Sequence, residues 1–434
     1  MRNTMRSSSA LCGRSLRLLV LCLLSTLTAP WAAAQAAPSP VRFDQAIARA
    51  VAIAPSVAAR QAGAQAAQEE AARAAALPDP MLSFGIDNLP VTGADAFDFG
   101  VEDMTMKRVG IAQEFPARAK RRAQQQVADR RIDEARTLTL AEQLAVRRAT
   151  AQAWIELWAA EQELMELRRL REQSTLAVRV AKARFAGGGD TAAEAMATQA
   201  SALELDNRSA GAEAVLEAAR GGLARWLDVP PEPLATAGAP PDLRVLPASE
   251  GELLASVGRQ AALLPWASRE AVAEAEVALA TAQKRPDWTL AASYGQRSGD
   301  RSDMLSLEVS VALPLFAVSR QDHGIAARRA DLAAVVASRE DAKRAQLEAI
   351  RRVLAEWRGL SRQVERKEKE ILPLASDRAR IALAAYRGGG PLQPWLDARG
   401  DEIELHVEHA GHLRDLGRAW TALAYLLPTE ETQP

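Results

Sequence analysis

Cysteine is nearly missing from this 434-residue chain: Cys12 and Cys22 are the only two, and both fall within the first 36 residues. That stretch carries Arg2, Arg6, Arg14 and Arg17, then the apolar run Leu18 to Leu24 and the small residues Ala32-Ala33-Ala34-Gln35-Ala36. It reads as a cleaved secretory signal over 1–36, since a retained membrane anchor needs about twenty apolar residues. The exported chain is then expected to hold no thiol, no disulfide and no thiolate metal site. Leu11 and Leu21 precede the two cysteines, and neither is the small residue expected before a lipid-modified cysteine, so no lipid anchor is expected.

Net charge is also missing. The formal balance is −1, and taking four signal arginines from 54 basic groups leaves 50 against 55 acids. A mildly acidic exported chain has no field for nucleic acid. Phosphate loops, nucleophile elbows and zincin His–Glu pairs are absent, so neither an enzyme nor a cofactor is expected. Aromatics make up only 4% of the chain, while alanine, arginine, leucine and glutamate fill long stretches with little Gly or Pro, the composition of extended helices.

What is present occurs twice. Residues 37–247 form a first repeat. A helix from Phe43 to Ala76, interrupted at Pro55, stops at Leu77-Pro78-Asp79-Pro80. A strand pair follows over 81–116: Leu82, Phe84 and Ile86 alternate with Ser83, Gly85 and Asp87, and Val109, Ile111 and Phe115 resume the period of two after an acidic loop from Asn88 to Arg108. A long helix is predicted over 117–186, which has neither proline nor glycine, with an apolar stripe through Trp154, Leu157, Trp158, Leu164, Leu167 and Leu170. The turn Phe185-Ala-Gly-Gly-Gly-Asp190 reverses it, a helix over 190–227 returns, and a proline-rich linker fills 228–247.

Residues 248–434 repeat the order. A helix from Glu250 to Lys284 carries Pro265 where the first carries Pro55, and a strand pair spans 288–314. A second long helix is predicted over 319–387 with a kink at Pro373, followed by the turn Tyr386-Arg-Gly-Gly-Gly-Pro391, a helix over 392–427 and a short tail. Each repeat thus pairs one helix of about seventy residues, some 100 Å long, with two of about half that length. The sum fits a wall in which stacked short helices lie beside long ones. Four strands cannot close a membrane barrel, whose smallest members have about eight, and an open sheet would leave two edges unpaired. Three copies would supply about twelve strands and leave a lumen. Leu82, Phe84, Ile86, Leu305, Leu307, Val309 and Val311 would then face lipid, and Ser83, Asp87, Glu114, Glu308 and Ser310 water.

The doubled order of helix, strand pair, long helix, glycine turn and helix resembles the TolC-type outer-membrane efflux channels of Gram-negative bacteria, over about Phe43 to Leu427. The turn pattern of that family, an aromatic, a glycine three residues on and then an acid near the helix start, is matched by Phe185, Gly188 and Glu194 and again by Tyr386, Gly389 and Asp397. The resemblance implies a mainly α fold with a small β part: a periplasmic coiled-coil barrel joined to a transmembrane β-barrel in a homotrimer. It implies outer-membrane lipid around the strands, and a periplasmic adaptor and an inner-membrane RND-type transporter as partners. The adaptor would dock at the turns Phe185, Gly187, Gly188, Gly189 and Tyr386, Gly388, Gly389, Gly390. Asn88-Leu89-Pro90, Asp103-Met104-Thr105-Met106 and Gln113-Glu114-Phe115-Pro116 resemble the heavy-metal branch. Pro394 stands where relatives often have a further acid, and Gly390 or Pro391 where a basic latch residue is common.

Glu194 and Asp397 are candidates for a carboxylate ring at the pore tip, against the simpler role of helix-start acids. His406, His409 and His412, three residues apart, and Met104 and Met106 at the outer mouth are weak metal candidates beside ordinary packing. A periplasmic adaptor or the exit channel of a type I secretion system are the alternative functions; an adaptor would have one helical hairpin and compact strand modules.

Overall fold

The computed structural model describes residues 40–189 and 191–428. The signal segment, Asp190 and residues 429–434 lie outside the described residues. A short strand β1 (Val41–Arg42) leads into α1 (Phe43–Ile53), which Pro55 ends; α2 (Pro55–Ala74) restarts at once with that proline in its first turn, where its missing N–H costs nothing. The strands β2 (Met81–Asp87) and β3 (Met106–Phe115) follow, then α3 (Arg118–Ala186), 69 residues without a break. After the turn come α4 (Ala192–Leu227) and a short strand β4 (Thr236–Ala237) that pairs parallel with β1. This pairing ties the proline linker back to the start of the fold.

In the second repeat the expected single helix over 250–284 is corrected. It is broken into α5 (Glu250–Ala255), a 3-10 turn (Val257–Arg259) and α6 (Leu264–Ala282). The break is anchored by Gln260, fully buried, whose Nε2 donates to the Leu253 carbonyl (2.7 Å). Strands β5 (Trp288–Arg297) and β6 (Met304–Val311) precede α7 (Gln321–Arg366), α8 (Leu372–Arg387) and α9 (Gln393–Ala424). The second long helix is interrupted by one π turn, Lys367–Ile371, just ahead of Pro373. Proline cannot donate to the carbonyl one turn back, and the wider turn takes up the mismatch.

Among the described residues no helix is long and apolar enough to cross a membrane. The helices pack side by side along α3, which touches α2, α4, α6 and α9. The main core sits at mid-height, where Trp154 is fully buried edge-on to Phe43, their ring centroids 5.3 Å apart. Three indole N–H groups there donate to backbone carbonyls of the connecting segments: Trp154 to Val41, Trp357 to Leu243 and Trp420 to Val245, each at 2.8 Å. Buried indoles need such acceptors, and here they clamp the linker against the helices.

Candidate functional site

Two regions of this fold carry most of the candidate functional residues, the sheet at one end and the glycine turns at the other. The four long strands form one antiparallel sheet in the order β2-β3-β5-β6. Register decides its faces, because residues directly opposite one another share a side. One row joins Leu82, Ile111, Ala292 and Leu307, and the next joins Phe84, Val109, Tyr294 and Leu305. Toward the helices the same face continues through Leu290 with Val309 and Phe115 with Trp288 and Val311. All seven strand residues singled out from the alternation therefore lie on this face. It is bare: Phe84 is 76% exposed, Leu305 72% and Leu307 74%. Tyr294 and Phe84 stand near one end of the apolar band and Trp288 and Phe115 at the other.

The opposite face is mainly small or polar, with Met81 and Met304 also on it. Ser83, Gly110, Ser293 and Ser306 make one row, and Glu114, Thr289 and Ser310 another. Gly110 lets the neighbouring strands pack closely, since a Cβ there would stand 2.9 Å from the Ser83 hydroxyl and 3.1 Å from Ser293 Cβ. Among the described residues, both outer strands, β2 and β6, are without a partner on one side. Beyond β6 the exposed apolar stretch continues through Leu313, Leu315, Phe316 and Val318.

The loop between β2 and β3 is held by Asn88, whose Nδ2 donates to the Met104 carbonyl (3.2 Å), while Thr105 Oγ1 donates to the Asn88 carbonyl (2.8 Å). Met106 is not a loop residue as expected. It opens β3, paired with Asp87 and Arg297, and its sulfur packs over Gly295. Met104 stays exposed in the loop. The two methionines thus sit in different environments.

At the far end the two turns are built alike. Gly188 (φ 77°) and Gly389 (φ 96°) adopt the left-handed conformation that ends a helix. Gly189 N–H donates to the Arg184 carbonyl (2.8 Å) and Gly390 N–H to the Ala385 carbonyl (3.1 Å). Gly187 and Gly388 cap α3 and α8. Phe185 is half exposed, whereas Tyr386 stacks on Trp395 with centroids 6.2 Å apart and planes at 13°. The Arg184 guanidinium lies 5.5 Å from the Tyr386 ring, so a cation–π contact joins the first turn to the second.

Glu194 is the third residue of α4 and completes a capping box: Thr191 Oγ1 accepts from its N–H while its own carboxylate accepts from the Thr191 N–H (2.7 Å) and hydroxyl (2.9 Å). These bonds, the backbone one foremost, hold its carboxyl below the usual range. Asp397 instead accepts from Gln393 Nε2 (2.7 Å) and lines a groove of about 740 Å³ between α3, α4 and α9. The Arg208–Glu404 ion pair spans α4 and α9 near it, and Arg399, bonded to Gln173 Oε1 (2.5 Å), links α9 to α3. Neither Arg399 nor Arg184 stood out in the sequence, because arginine is everywhere on these helices.

The histidines lie on α9 beside the π turn. His409 Nε2 is 3.6 Å from a Glu368 carboxylate oxygen, and burial, with His406, Lys367 and His412 nearby, pushes its imidazole down to about 4. Lys367, buried, donates to Glu408 (2.6 Å). Among the described residues no group of three or more His, Cys, Asp or Glu is placed to hold a metal ion.

No protein-family model and no curated protein matches this chain. Solved structures do. The outer membrane protein VceC of Vibrio cholerae matches with a TM-score of 0.71 at 19% identity, covering 89% of this chain and 96% of that one. The CmeC outer membrane channel of Campylobacter jejuni matches with 0.74 at 14% identity, covering 90% and 87%. CusC, solved in work on folding and transmembrane channel formation, matches with 0.72 at 13% identity over 92% and 96%. At these identities the likeness is one of backbone. The chain has the fold of the outer-membrane channels, a four-stranded sheet carried at the end of two long helical hairpins.

Proposed function

We propose that this protein is the outer-membrane channel of a tripartite efflux assembly, a homotrimer whose sheets join into a transmembrane barrel and whose helices form a tube across the periplasm. The observation that carries the reading is the sheet: an apolar face left bare, a polar face opposite, and two open edges. Such a sheet is stable only if its edges pair with other copies and its face meets lipid. The shared fold supports the same reading. The channel is a passive conduit, with a periplasmic adaptor docking at the two glycine turns and an inner-membrane RND-type transporter supplying the cargo.

Heavy-metal cations are the favoured cargo, on the loop and strand phrases that resemble the metal branch and on carboxylates at the tip. Asp397 is the better ring candidate, since Glu194 already serves as a cap. The reading is tested by fractionation and by mass: the chain should enter the outer membrane, purify in detergent as a trimer, and conduct ions in a planar bilayer. A water-soluble monomer would end it. Cargo is read from growth of a deletion strain on metal salts against drugs and dyes, and the ring from unchanged or reduced cation selectivity in Asp397→Asn.

A further inference from the structure

The helical array has two margins. α4 packs along α3, α8 along α9, and the α3–α9 contact lies between them. Each margin turns an apolar pair outward. Met196 (72% exposed) and Leu203 (58%) stand on α4, whose buried residues Thr198 and Leu205 each lie two positions, or about 200° of helix, further on. Leu374 (69%) and Ile381 (67%) stand on α8, likewise turned from its buried Ala379. Both pairs are spaced by seven, the repeat of a coiled-coil seam.

Their heights agree. Met196 and Leu203 follow the left-handed Gly188 by eight and fifteen residues; Ile381 and Leu374 precede the left-handed Gly389 by eight and fifteen. At 1.5 Å per residue that puts one member of each pair about 12 Å from its turn and the other about 22 Å. The charges are opposed as well. Along the seam, from Ala192 to Leu205, α4 carries Glu194 and Glu204 and no cation, while α8 carries three arginines against one aspartate.

We infer that α4 of one copy mates with α8 of the next through a short coiled-coil seam beside the turns, Met196 level with Ile381 and Leu203 level with Leu374. The two surfaces differ and sit on opposite margins, so the contact is head-to-tail, and repetition of it around an axis closes a ring. The seam rests on the trimeric reading above and names the surface that completes the tube at its narrow end. It also gives a partner to the four most exposed large apolar side chains of these two helices.

Disulfide trapping in the purified full chain tests this, because no cysteine occurs after Cys22. Under mild oxidation Met196→Cys/Ile381→Cys and Leu203→Cys/Leu374→Cys should each give reducible covalent dimers and trimers. The mismatched Met196→Cys/Leu374→Cys pair, offset by about 10 Å, should stay monomeric on a denaturing gel. A trimer by mass in which matched pairs fail to cross-link, or cross-link no better than the mismatched pair, overturns the seam and leaves the channel reading standing. So does trapping of a different protein at these positions in cells, which would make the margins an adaptor site. Absence of any trimer defeats the channel reading itself. As a measurement independent of oxidation, the single Met196→Cys thiol should lose its reactivity toward a water-soluble maleimide in the trimer and regain it on denaturation; full reactivity in the trimer counts against the seam.

Discussion

The two repeats share an order of elements but not a place in the molecule. α3, in the first, buries seventeen residues, whereas its counterpart, the span from α7 through the π turn to the end of α8, buries six. The first long helix runs unbroken through the middle of the array; the second lies at its margin and is interrupted by a π turn over a buried lysine. Duplication therefore supplied two copies of one design, and packing made one the centre and the other an edge. At the sheet the repeats are equivalent, because each contributes one inner and one outer strand.

Removing the mid-height indoles should break this comparison most. Trp154→Ala empties a fully buried site and strips a donor from the Val41 carbonyl, a loss of about 3–5 kcal/mol. Trp357→Ala in the second repeat, a part-buried site, should cost less. Thermal melts of the purified variants check the order, and equal losses would contradict the division into centre and margin. Next comes the sheet, where the repeats should respond alike. Ile111→Arg and Leu307→Arg lie in one row of the apolar face, and each should cost about 2–4 kcal/mol of membrane assembly, while Ser306→Arg on the opposite face should cost little. The fraction of chain reaching the outer membrane as a folded trimer reports this.

The turns should separate the repeats more finely. Thr191→Ala removes the capping box of α4 and should loosen its first turn by about 0.5–2 kcal/mol. The first turn of α9 has no side-chain cap to lose and instead has a proline. Amide exchange across both first turns would show whether only α4 responds. The smallest expected effect is confined to the second repeat. With its imidazole pushed down to about 4 by burial, His409 binds its proton more weakly when folded than when unfolded. Its contribution to stability is therefore full above the ordinary histidine range near 6.5 and is lost as pH falls from there through about 4. His409→Gln should flatten the melting temperature across that window; an unchanged slope would mean the group is not the source.

Much of this was legible from residue order. Prolines at 55, 116 and 286, glycines at 188 and 389, and a period of two across Leu305 to Val311 are local signals, and backbone sterics act locally, so helices, strands and turns could be placed. What escaped was what depends on partners. The break between Ala255 and Leu264 is fixed by Gln260 finding a buried acceptor, and the β1–β4 pairing joins residues nearly two hundred positions apart. Met106 read as loop because the polar Lys107 and Arg108 hide the strand pattern, which β5 imposes by hydrogen bonding. The turns were readable as turns, but the stacking of Arg184, Tyr386 and Trp395 across them was not, since an arginine-rich helix offers many equal candidates.

By itself the amino-acid order determined a doubled chain of long helices, glycine reversals and amphipathic strands, since each of these follows from the conformational limits of neighbouring residues. Only the tertiary structure decided that α3 is central and that α4 and α8 are margins. Burial depends on which surfaces meet in space, and two nearly identical stripes of alanine and leucine cannot say in advance which of them will be covered.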